Sequence, residues 1–403
     1  MYRTYPALVF VTALSGFFGP AFGGEPNTSL APGTVISHMP ASAGRYVGSP
    51  AIAVLPDGTY AASHDEFGPE SQYYTNAYTR VFNSHDHGET WTQVTRFEGA
   101  LWSSLFVHAG ALYLMGTHKE YGAVLIRRSM DSGKTWTETR DAVSGILAPG
   151  EYHTAPVPVI EFNGRLWRGF EDANAPGGWG ERYRSLMMSA PVDADLLRAD
   201  SWTMSRPLCR DTTWLDGTFR GWLEGNAVVS PQGELVNVLR VDYKPGPELA
   251  AMVHISADGK EASFDHTRDL RPFPGGSKKF TIRWDPVAKT YWALSNPVLA
   301  PHKELNPTSV RNALALISSP DLTTWEIRCI VLYHPDAERH AFQYVDWLFD
   351  GDDLIAVSRT ASDDGLGGAP RGHDANFMTF HRIRDFRALT LADGAAGTQA
   401  MIR

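Results

Sequence analysis

Cysteine is almost absent from this chain, and long apolar runs are missing. Only two cysteines, Cys209 and Cys329, occur in 403 residues, so a disulfide framework is excluded and at most one bridge can form. The sequence leaves open whether the two pair. The apolar stretch from Ala7 to Phe18 is shorter than a membrane-spanning helix requires, and no other stretch has the character of a membrane span.

An excess of positive charge is also missing. The net charge of -9 disfavours a nucleic-acid partner and an anionic membrane surface. An acidic ligand would therefore need a local basic pocket within an acidic protein. Long amphipathic helical patterns are absent as well, whereas glycine and proline are frequent and tryptophan occurs 12 times. This composition is typical of a β-rich chain.

The N-terminus has the pattern of a secretory signal. Arg3 precedes the apolar stretch, and the small residues Ala21 and Gly23 follow it, which predicts a signal peptide over residues 1–23. We expect residues 24–33 to form a leader and residues 34–403 a single catalytic domain. The protein is then secreted or periplasmic, and we expect a monomer.

One octapeptide occurs twice. Ser84–Trp91 reads SHDHGETW and Ser129–Trp136 reads SMDSGKTW, so both follow the pattern S-x-D-x-G-x-T-W. An aspartate beside a glycine between β-forming residues predicts a tight hairpin, in which the aspartate accepts backbone amides and the glycine takes a positive φ. Weaker copies begin at Ser256 and Ser319.

This pattern resembles the Asp-box, the turn that joins the two outer strands of a blade in sialidase-like β-propellers. Six strand-turn-strand units can be counted beside it. Such units cannot bury their faces alone, so neighbours must stack and the ring must close. We expect one all-β propeller of four-stranded antiparallel blades, with inner turns at Pro56–Gly58, Ala109–Gly110, Asn163–Gly164, Gln232–Gly233, Pro286 and Asp350–Gly351.

The blade order predicts the position of a site. In propellers of this kind, the start of the innermost strand and the loop after the second strand meet at a central pocket. The predicted catalytic residues there are His64, His118, Arg240 and Tyr344, and the predicted substrate-binding residues are Asp65, His153, Trp222, Glu224, Asn226, Lys278, Arg359 and His373.

Histidines from three adjacent units suggest proton transfer, because an imidazole takes and returns a proton near neutral pH. His64, His118 and His153 could equally ligate a divalent metal. The sequence lacks a compact ligand spacing that would decide between proton transfer and metal binding. It therefore requires no cofactor and leaves open whether these histidines bind a divalent metal.

Basic residues at pocket positions suggest a carboxylate ligand. Arg240 and Arg359 each end the second strand of their unit, and Lys278 begins the fifth unit. Convergent cations suit the carboxylate of a uronic acid, since guanidinium contacts are directional as well as charged.

A sialidase is disfavoured by one position. Sialidases hold their substrate's carboxylate with three arginines, the first of which opens the first blade. Gly48 stands at that position when the chain is aligned on Pro50, and a glycine cannot hold a carboxylate. Glu224 and Tyr344 would be the members of a sialidase-like nucleophilic pair.

A second resemblance covers nearly the whole mature chain. The chain is similar to the secreted propeller family that removes terminal L-rhamnose from α-1,4-linked D-glucuronate of arabinogalactan and gum arabic. The enzymes of this family were classed first as α-L-rhamnosidases and then as lyases. The matching stretches are His38–Ser42, Tyr46–Pro50, Ala62–Asp65, Phe67–Pro69, Phe342–Trp347, Ser358–Thr360 and His373–Asn376.

The resemblance implies an acidic oligosaccharide or polysaccharide as the substrate and seven blades. The seventh would come from residues 197–221 or from an N-terminal strand near Val35. It also implies β-elimination, in which a cation neutralises the uronate carboxylate. His64 would take the C5 proton, although the family's essential histidine could instead match His38, and His118 or Tyr344 would protonate the departing oxygen.

Two alternatives use the same pocket. In a glycoside hydrolase of the rhamnosidase or sialidase type, Asp65 and Glu224 would act as acid and base. In a non-catalytic glycan-binding propeller, the cations and aromatic residues such as Trp222 and Trp347 would hold the glycan without turnover.

Overall fold

The computed structural model describes residues 25–243 and 247–402. The predicted signal peptide and the first leader residue lie outside these residues. The described part is built from strands and short 3-10 helices, and none of these helices has the length or apolar character needed to cross a bilayer. The 3-10 helices are Thr28–Leu30, Ala41–Ala43, Ala199–Ser201, Ala300–His302, Pro307–Ser309, Phe386–Ala388, Leu391–Asp393 and Thr398–Met401.

The strands follow one another through the whole described chain. The first thirteen are β1 (Thr34–His38), β2 (Tyr46–Val47), β3 (Ala51–Val54), β4 (Tyr60–Phe67), β5 (Tyr78–Ser84), β6 (Thr92–Glu98), β7 (Leu101–His108), β8 (Ala111–Thr117), β9 (Gly122–Ser129), β10 (Ile146–His153), β11 (Ile160–Phe162), β12 (Arg165–Asp172) and β13 (Arg184–Pro191). The others are β14 (Thr203–Met204), β15 (Phe219–Val229), β16 (Leu235–Tyr243), β17 (Leu249–Ile255), β18 (Ala262–Ser263), β19 (Leu270–Pro272), β20 (Thr281–Asp285), β21 (Thr290–Ser295), β22 (Ala313–Ser319), β23 (Glu326–Tyr333), β24 (Ala341–Asp350), β25 (Asp353–Ala361) and β26 (Phe377–Ile383).

These strands pair into six antiparallel units around one axis. Blade 1 has β2 and β3 as its interrupted inner strand, followed by β4, β5 and β6; blade 2 runs from β7 to the start of β10. Blade 3 has the end of β10 and β11 as its inner strand, followed by β12, β13 and β14. Blade 4 comprises β15 to β19, blade 5 comprises β20 to β23, and blade 6 comprises β24, β25, β26 and β1.

The ring closes through the N-terminal strand. β1 pairs with β26 as the outer strand of blade 6, with Thr34 opposite Phe380, and β24 contacts β3 of blade 1. The predicted all-β propeller is confirmed, with a hairpin at each of the six predicted inner turns. The described residues give no seventh unit, because Val35 lies in β1 and residues 197–221 add only β14 and the start of β15.

The repeated octapeptide forms the predicted tight turn. Asp86 Oδ1 accepts hydrogen bonds from Ser84 Oγ at 2.8 Å and from the Thr90 amide at 2.9 Å, and Trp91 Nε1 donates to a turn carbonyl at 3.2 Å. The second copy repeats these contacts. All four copies join the third strand of a blade to its outermost strand. The left-handed backbone begins one residue before the glycine, at His87 with φ 59°.

The two cysteines are not paired. Cys209 is exposed, Cys329 is buried, and both are free thiols. Cys329 lies among the apolar side chains between blades 5 and 6. The described fold is therefore held by strand pairing and by apolar contacts between blades.

Two buried histidines make the fold sensitive to acid. Burial lowers the pKa of His64 and of His381 to about 4, whereas an unfolded chain binds these protons near pH ~6.5. Each histidine therefore lowers the free energy of unfolding by about 2 kcal/mol between about pH 7 and about pH 5. Asp65 acts in the opposite sense, because burial raises its pKa to about 6. Between about pH 7 and about pH 5 the folded state therefore binds this proton more readily than the unfolded chain, which raises the free energy of unfolding.

We expect His381→Gln to lose less stability on acidification than the wild-type protein, because the glutamine does not titrate. Urea unfolding at about pH 7 and about pH 5 measures the difference for both proteins. An unchanged pH dependence in the variant would show that His381 is not held neutral.

Candidate active site

A polar cavity of about 710 Å³ opens at one end of the propeller axis. All six blades contribute to its wall, through the starts of inner strands and the loops that follow second strands. A larger cavity of about 920 Å³ lies at the other end of the inner strands, but aliphatic side chains such as Ile52, Leu105 and Val228 dominate its wall. The titratable groups suited to chemistry converge in the smaller cavity.

Local irregularities of the inner strands direct three side chains into this cavity. The register of the inner pairing shifts around Trp102 in blade 2, Glu224 in blade 4 and Tyr344 in blade 6. All three residues have a left-handed backbone, with φ values of 51°, 61° and 54°. Such irregularities aim a side chain differently from the regular strand, and the strained conformation is common at functional sites.

Three arginines converge around Tyr344. The Arg359 guanidinium lies 4.2 Å from the centre of the Phe67 ring and 5.0 Å from that of Tyr344, and the Arg311 guanidinium lies 5.4 Å from the Tyr344 ring. Arg240 donates from Nε to the Ser277 carbonyl at 2.8 Å. These contacts hold the three cations in place before any ligand binds.

Glu224 and Asp65 line the same cavity with different proton affinities. Burial alone would raise the pKa of Glu224, but Arg240, whose Nη1 lies 3.0 Å from Glu224 Oε2, and His153 lower it. Burial raises the pKa of Asp65 to about 6, although Asp65 accepts the amides of Trp102 at 2.5 Å and of Ser49 at 2.7 Å. Near neutral pH, Glu224 is charged and Asp65 keeps part of its protonated form.

His153 forms a dyad with Glu171. Its Nδ1 lies 2.8 Å from Glu171 Oε2, and its ring stacks on Tyr183 with the ring centres 4.4 Å apart. The described residues provide no hydrogen-bond partner for His153 Nε2. The Glu171 carboxylate accepts a hydrogen bond from Nδ1 and so favours the tautomer with the proton on that nitrogen. Nε2 is then available as a hydrogen-bond acceptor at the cavity wall.

Gly48 is required by the position of Asp65. A Cβ at Gly48 would lie 1.5 Å from Asp65 Oδ1, so no larger residue fits while the carboxyl stays there. The place from which a first sialidase arginine would project is thus occupied by an acidic group. Arg359 of blade 6 lies near enough to lower the pKa of Asp65 against the effect of burial.

The structure brings seven of the twelve predicted site residues to the cavity wall. They are Asp65, His153, Glu224, Arg240, Tyr344, Arg359 and His373. Of the three histidines predicted to converge, only His153 lines this wall, and the described residues contain no group of three ligands that could hold a metal ion.

The prediction that His64 lies in the pocket is wrong. Side chains alternate along β4, so Asp65 and Phe67 face the cavity while His64 faces away. His64 is fully buried, lies 3.1 Å from Ser37 Oγ of β1 through its Nε2, and stacks on Phe82. The alternative histidine, His38, binds Asp364 at 3.0 Å and does not line the cavity either.

Four other predicted residues lie outside the wall. His118 accepts the Ala123 amide through Nδ1 at 3.0 Å. Trp222 is buried in the core of blade 4, and Asn226 donates to the Phe280 carbonyl and accepts the Ile282 amide. Lys278 donates to Glu248 and to the Pro307 carbonyl and does not line the cavity.

Arg311 lines the cavity and was not predicted. It lies just before β22, at the end of the long loop that follows the second strand of blade 5. Residues of the corresponding loop also line the cavity in blades 1, 2, 3 and 6, so the loop position was the available signal. Trp102, Glu120 and Trp179 were also missed.

No family model matches the chain. A probable oligoxyloglucan-reducing end-specific xyloglucanase of Neosartorya fischeri is 24% identical over 270 residues, which are 60% of this chain and 30% of that protein, so the match spans less than a third of the relative's length.

Among solved structures, the Penicillium chrysogenum α-L-arabinanase with arabinobiose has a TM-score of 0.56 at 17% identity and covers 89% of this chain and 98% of its own. The Trypanosoma rangeli sialidase with sialic acid has a TM-score of 0.52 at 14% identity, over 84% and 54%. At these identities, the likeness shows the fold alone.

The arrangement predicts that the cavity binds a sugar carboxylate. D-Glucuronate should bind and D-glucose should not, and Arg311→Met should weaken glucuronate binding at least about tenfold, because a charged hydrogen bond is lost. Calorimetric titration measures both. Arg206→Met, at an exposed arginine outside the cavity, is the matched control; equal weakening in both variants would contradict a directed contact.

Proposed function

We propose that the protein removes terminal L-rhamnose from α-1,4-linked D-glucuronate by β-elimination. The observation that carries the proposal is that Arg311 and Arg359 lie against Tyr344, with Arg240 paired to Glu224 on the wall of the same cavity. The C5 proton of a uronate becomes acidic only when its carboxylate is neutralised, and fixed guanidinium groups supply that neutralisation without reorganisation.

The proton transfers follow from the residues beside the cations. His153 Nε2 takes the C5 proton, while Glu171 on Nδ1 stabilises the resulting imidazolium. The bond between C4 and the glycosidic oxygen then breaks, and a double bond forms between C4 and C5. Tyr344 donates its phenolic proton to the departing oxygen, so the products are rhamnose and an unsaturated uronate.

The substrate class is supported by two kinds of resemblance. The stretches around Phe67, Phe342–Trp347 and Ser358–Thr360 resemble the rhamnose-glucuronate lyases, and Phe67, Tyr344 and Arg359 of these stretches line the cavity. The names of similar proteins include an arabinanase, a sialidase and a xyloglucanase. A secreted enzyme acting on arabinogalactan or gum arabic fits both.

The test is incubation with gum arabic while released rhamnose and ultraviolet absorbance are measured together. Both should rise, because the conjugated uronate absorbs and a hydrolysis product does not. His153→Gln should slow both by about 100-fold or more, the usual loss of a general base. His64→Gln is the matched control, and we expect it to keep wild-type activity because its ring lies outside the cavity.

Three outcomes would contradict this proposal. Rhamnose release without absorbance would indicate hydrolysis. Tight binding of the glycan without any product would indicate a non-catalytic binding protein. Loss of activity in His64→Gln together with full activity in His153→Gln would show that the general base is His64, as predicted from the sequence.

A glycoside hydrolase is the second candidate, and one observation favours it. The environments of Asp65 and Glu224 separate their pKa values, upward to about 6 for Asp65 and downward for Glu224. Paired carboxyl groups with separated pKa values are typical of a general acid and its anionic partner.

Asp65→Asn distinguishes the two mechanisms. If the enzyme is a hydrolase with Asp65 as the acid, the variant should lose about 100-fold or more in rate, and the wild-type rate should fall as the pH rises above about 6, where Asp65 loses its proton. If elimination operates, Asp65→Asn should keep most of the activity. The pH–rate profile of rhamnose release measures both effects.

A further inference from the structure

We propose that Glu120, Trp102 and Tyr73 form a binding site for an uncharged sugar ring beside the uronate site. This inference rests on the proposed function, because it places the neighbouring residue of the same glycan. The cavity volume of about 710 Å³ lies well above the ~300 Å³ at which ligand pockets begin, so there is room for more than one ring.

The wall of the cavity is divided by chemistry. Its arginines come from blades 4 to 6, and two of them lie against rings from blades 1 and 3, Arg359 against Phe67 and Arg240 against Trp179. Tyr73 and Trp102, from blades 1 and 2, have no arginine over their rings among the described residues, and they form the aromatic side of the cavity. A carboxylated ring belongs on the cationic side. The aromatic side offers flat apolar faces with polar edges, which suit the C–H face of a neutral sugar.

Trp102 is a fixed platform on this aromatic side. Its backbone amide donates to Asp65 Oδ2 at 2.5 Å, and its ring centre lies 4.6 Å from that of His153 and 6.3 Å from that of Tyr121. The left-handed backbone of Trp102, with φ 51°, sets the direction of the side chain. A ring held in this way loses little conformational freedom when a sugar stacks on it.

Glu120 supplies an unused acceptor at the same place. Its Oε2 is buried and has no hydrogen-bond partner among the described residues, while its backbone amide donates to the Tyr73 carbonyl at 2.8 Å. A buried polar atom without a partner is costly. The hydroxyl groups of a sugar on the Trp102 platform would donate to this carboxyl group.

Glu120 also decides which sugar fits. A second uronate at this position would place its carboxylate away from the arginines and beside a carboxyl group whose pKa burial raises, so the two groups could not both ionise without repulsion in a partly desolvated cavity. A neutral sugar has only hydroxyl donors to offer and meets no such penalty. The site therefore selects a glycan end with one neutral and one acidic ring.

The test compares ligands of different length in a Tyr344→Phe background, which blocks turnover by the proposed mechanism. The probes are D-glucuronate and the disaccharide L-rhamnosyl-α-1,4-D-glucuronate, titrated by calorimetry. Glu120→Gln should weaken disaccharide binding about tenfold and leave glucuronate binding unchanged. Glu326→Gln, at an exposed carboxylate on the outermost strand of blade 5 and outside the cavity, is the matched carboxylate-to-amide change and should alter neither affinity.

Equal effects of Glu120→Gln and Glu326→Gln, or equal weakening of both probes by Glu120→Gln, would overturn the inference. So would a parent protein that binds the disaccharide no more tightly than glucuronate. Glu120→Gln could weaken binding of the disaccharide alone while the wild-type enzyme forms no product that absorbs in the ultraviolet. That result would support the neutral-sugar site and contradict the proposed lyase reaction. Failure of glucuronate itself to bind would reject the uronate site.

Discussion

The closure of the ring through β1 is the constraint on which the site depends. β1 completes blade 6 by pairing with β26 and also places Ser37 Oγ 3.1 Å from His64 Nε2 of blade 1. Across the same seam, the Ile52 amide donates to Asp346 at 3.1 Å. Because blades 1 and 6 are joined in this way, Asp65 of the first blade and Arg359 of the last blade share one cavity although they are far apart in sequence.

Within the closed ring, the inner strands position the reactive groups at a cost in backbone strain. Left-handed conformations at bulky residues cost roughly 1–3 kcal/mol each, and Trp102, Glu224 and Tyr344 all adopt them. Neighbouring contacts hold the strained geometry: the carbonyl of Val345 accepts hydrogen bonds from Lys279 and from Thr281 at 2.7 Å. The cavity is therefore preorganised, which is what electrostatic stabilisation of a transition state requires.

The fold could be predicted from the sequence further than the site could. The octapeptide turns at Asp86 and Asp131 are local, since each hydrogen bond joins residues within five positions, and turn chemistry determines them without the rest of the chain. The site depends on which face of a strand each residue occupies. Alternation along β4 separates His64 from Asp65, whereas the register shift in β15 brings Glu224 to the cavity and leaves Trp222 in the core. Such shifts, and the seam that adds Arg359, arise from tertiary contacts that no local pattern contains.

The charges of the cavity would act differently on elimination and on hydrolysis. Three buried guanidinium groups face Glu224, which is ionised, and Asp65, which holds its proton up to about pH 6. In the proposed elimination, removal of the C5 proton would build negative charge on the uronate carboxylate, and the arginines would stabilise that transition state. Glycoside hydrolysis builds positive charge on the sugar ring, and arginines paired with a substrate carboxylate, as in the sialidases, are compatible with it. The arginines therefore account for binding of an acidic sugar under either reaction, and the proposed elimination depends on a base beside C5.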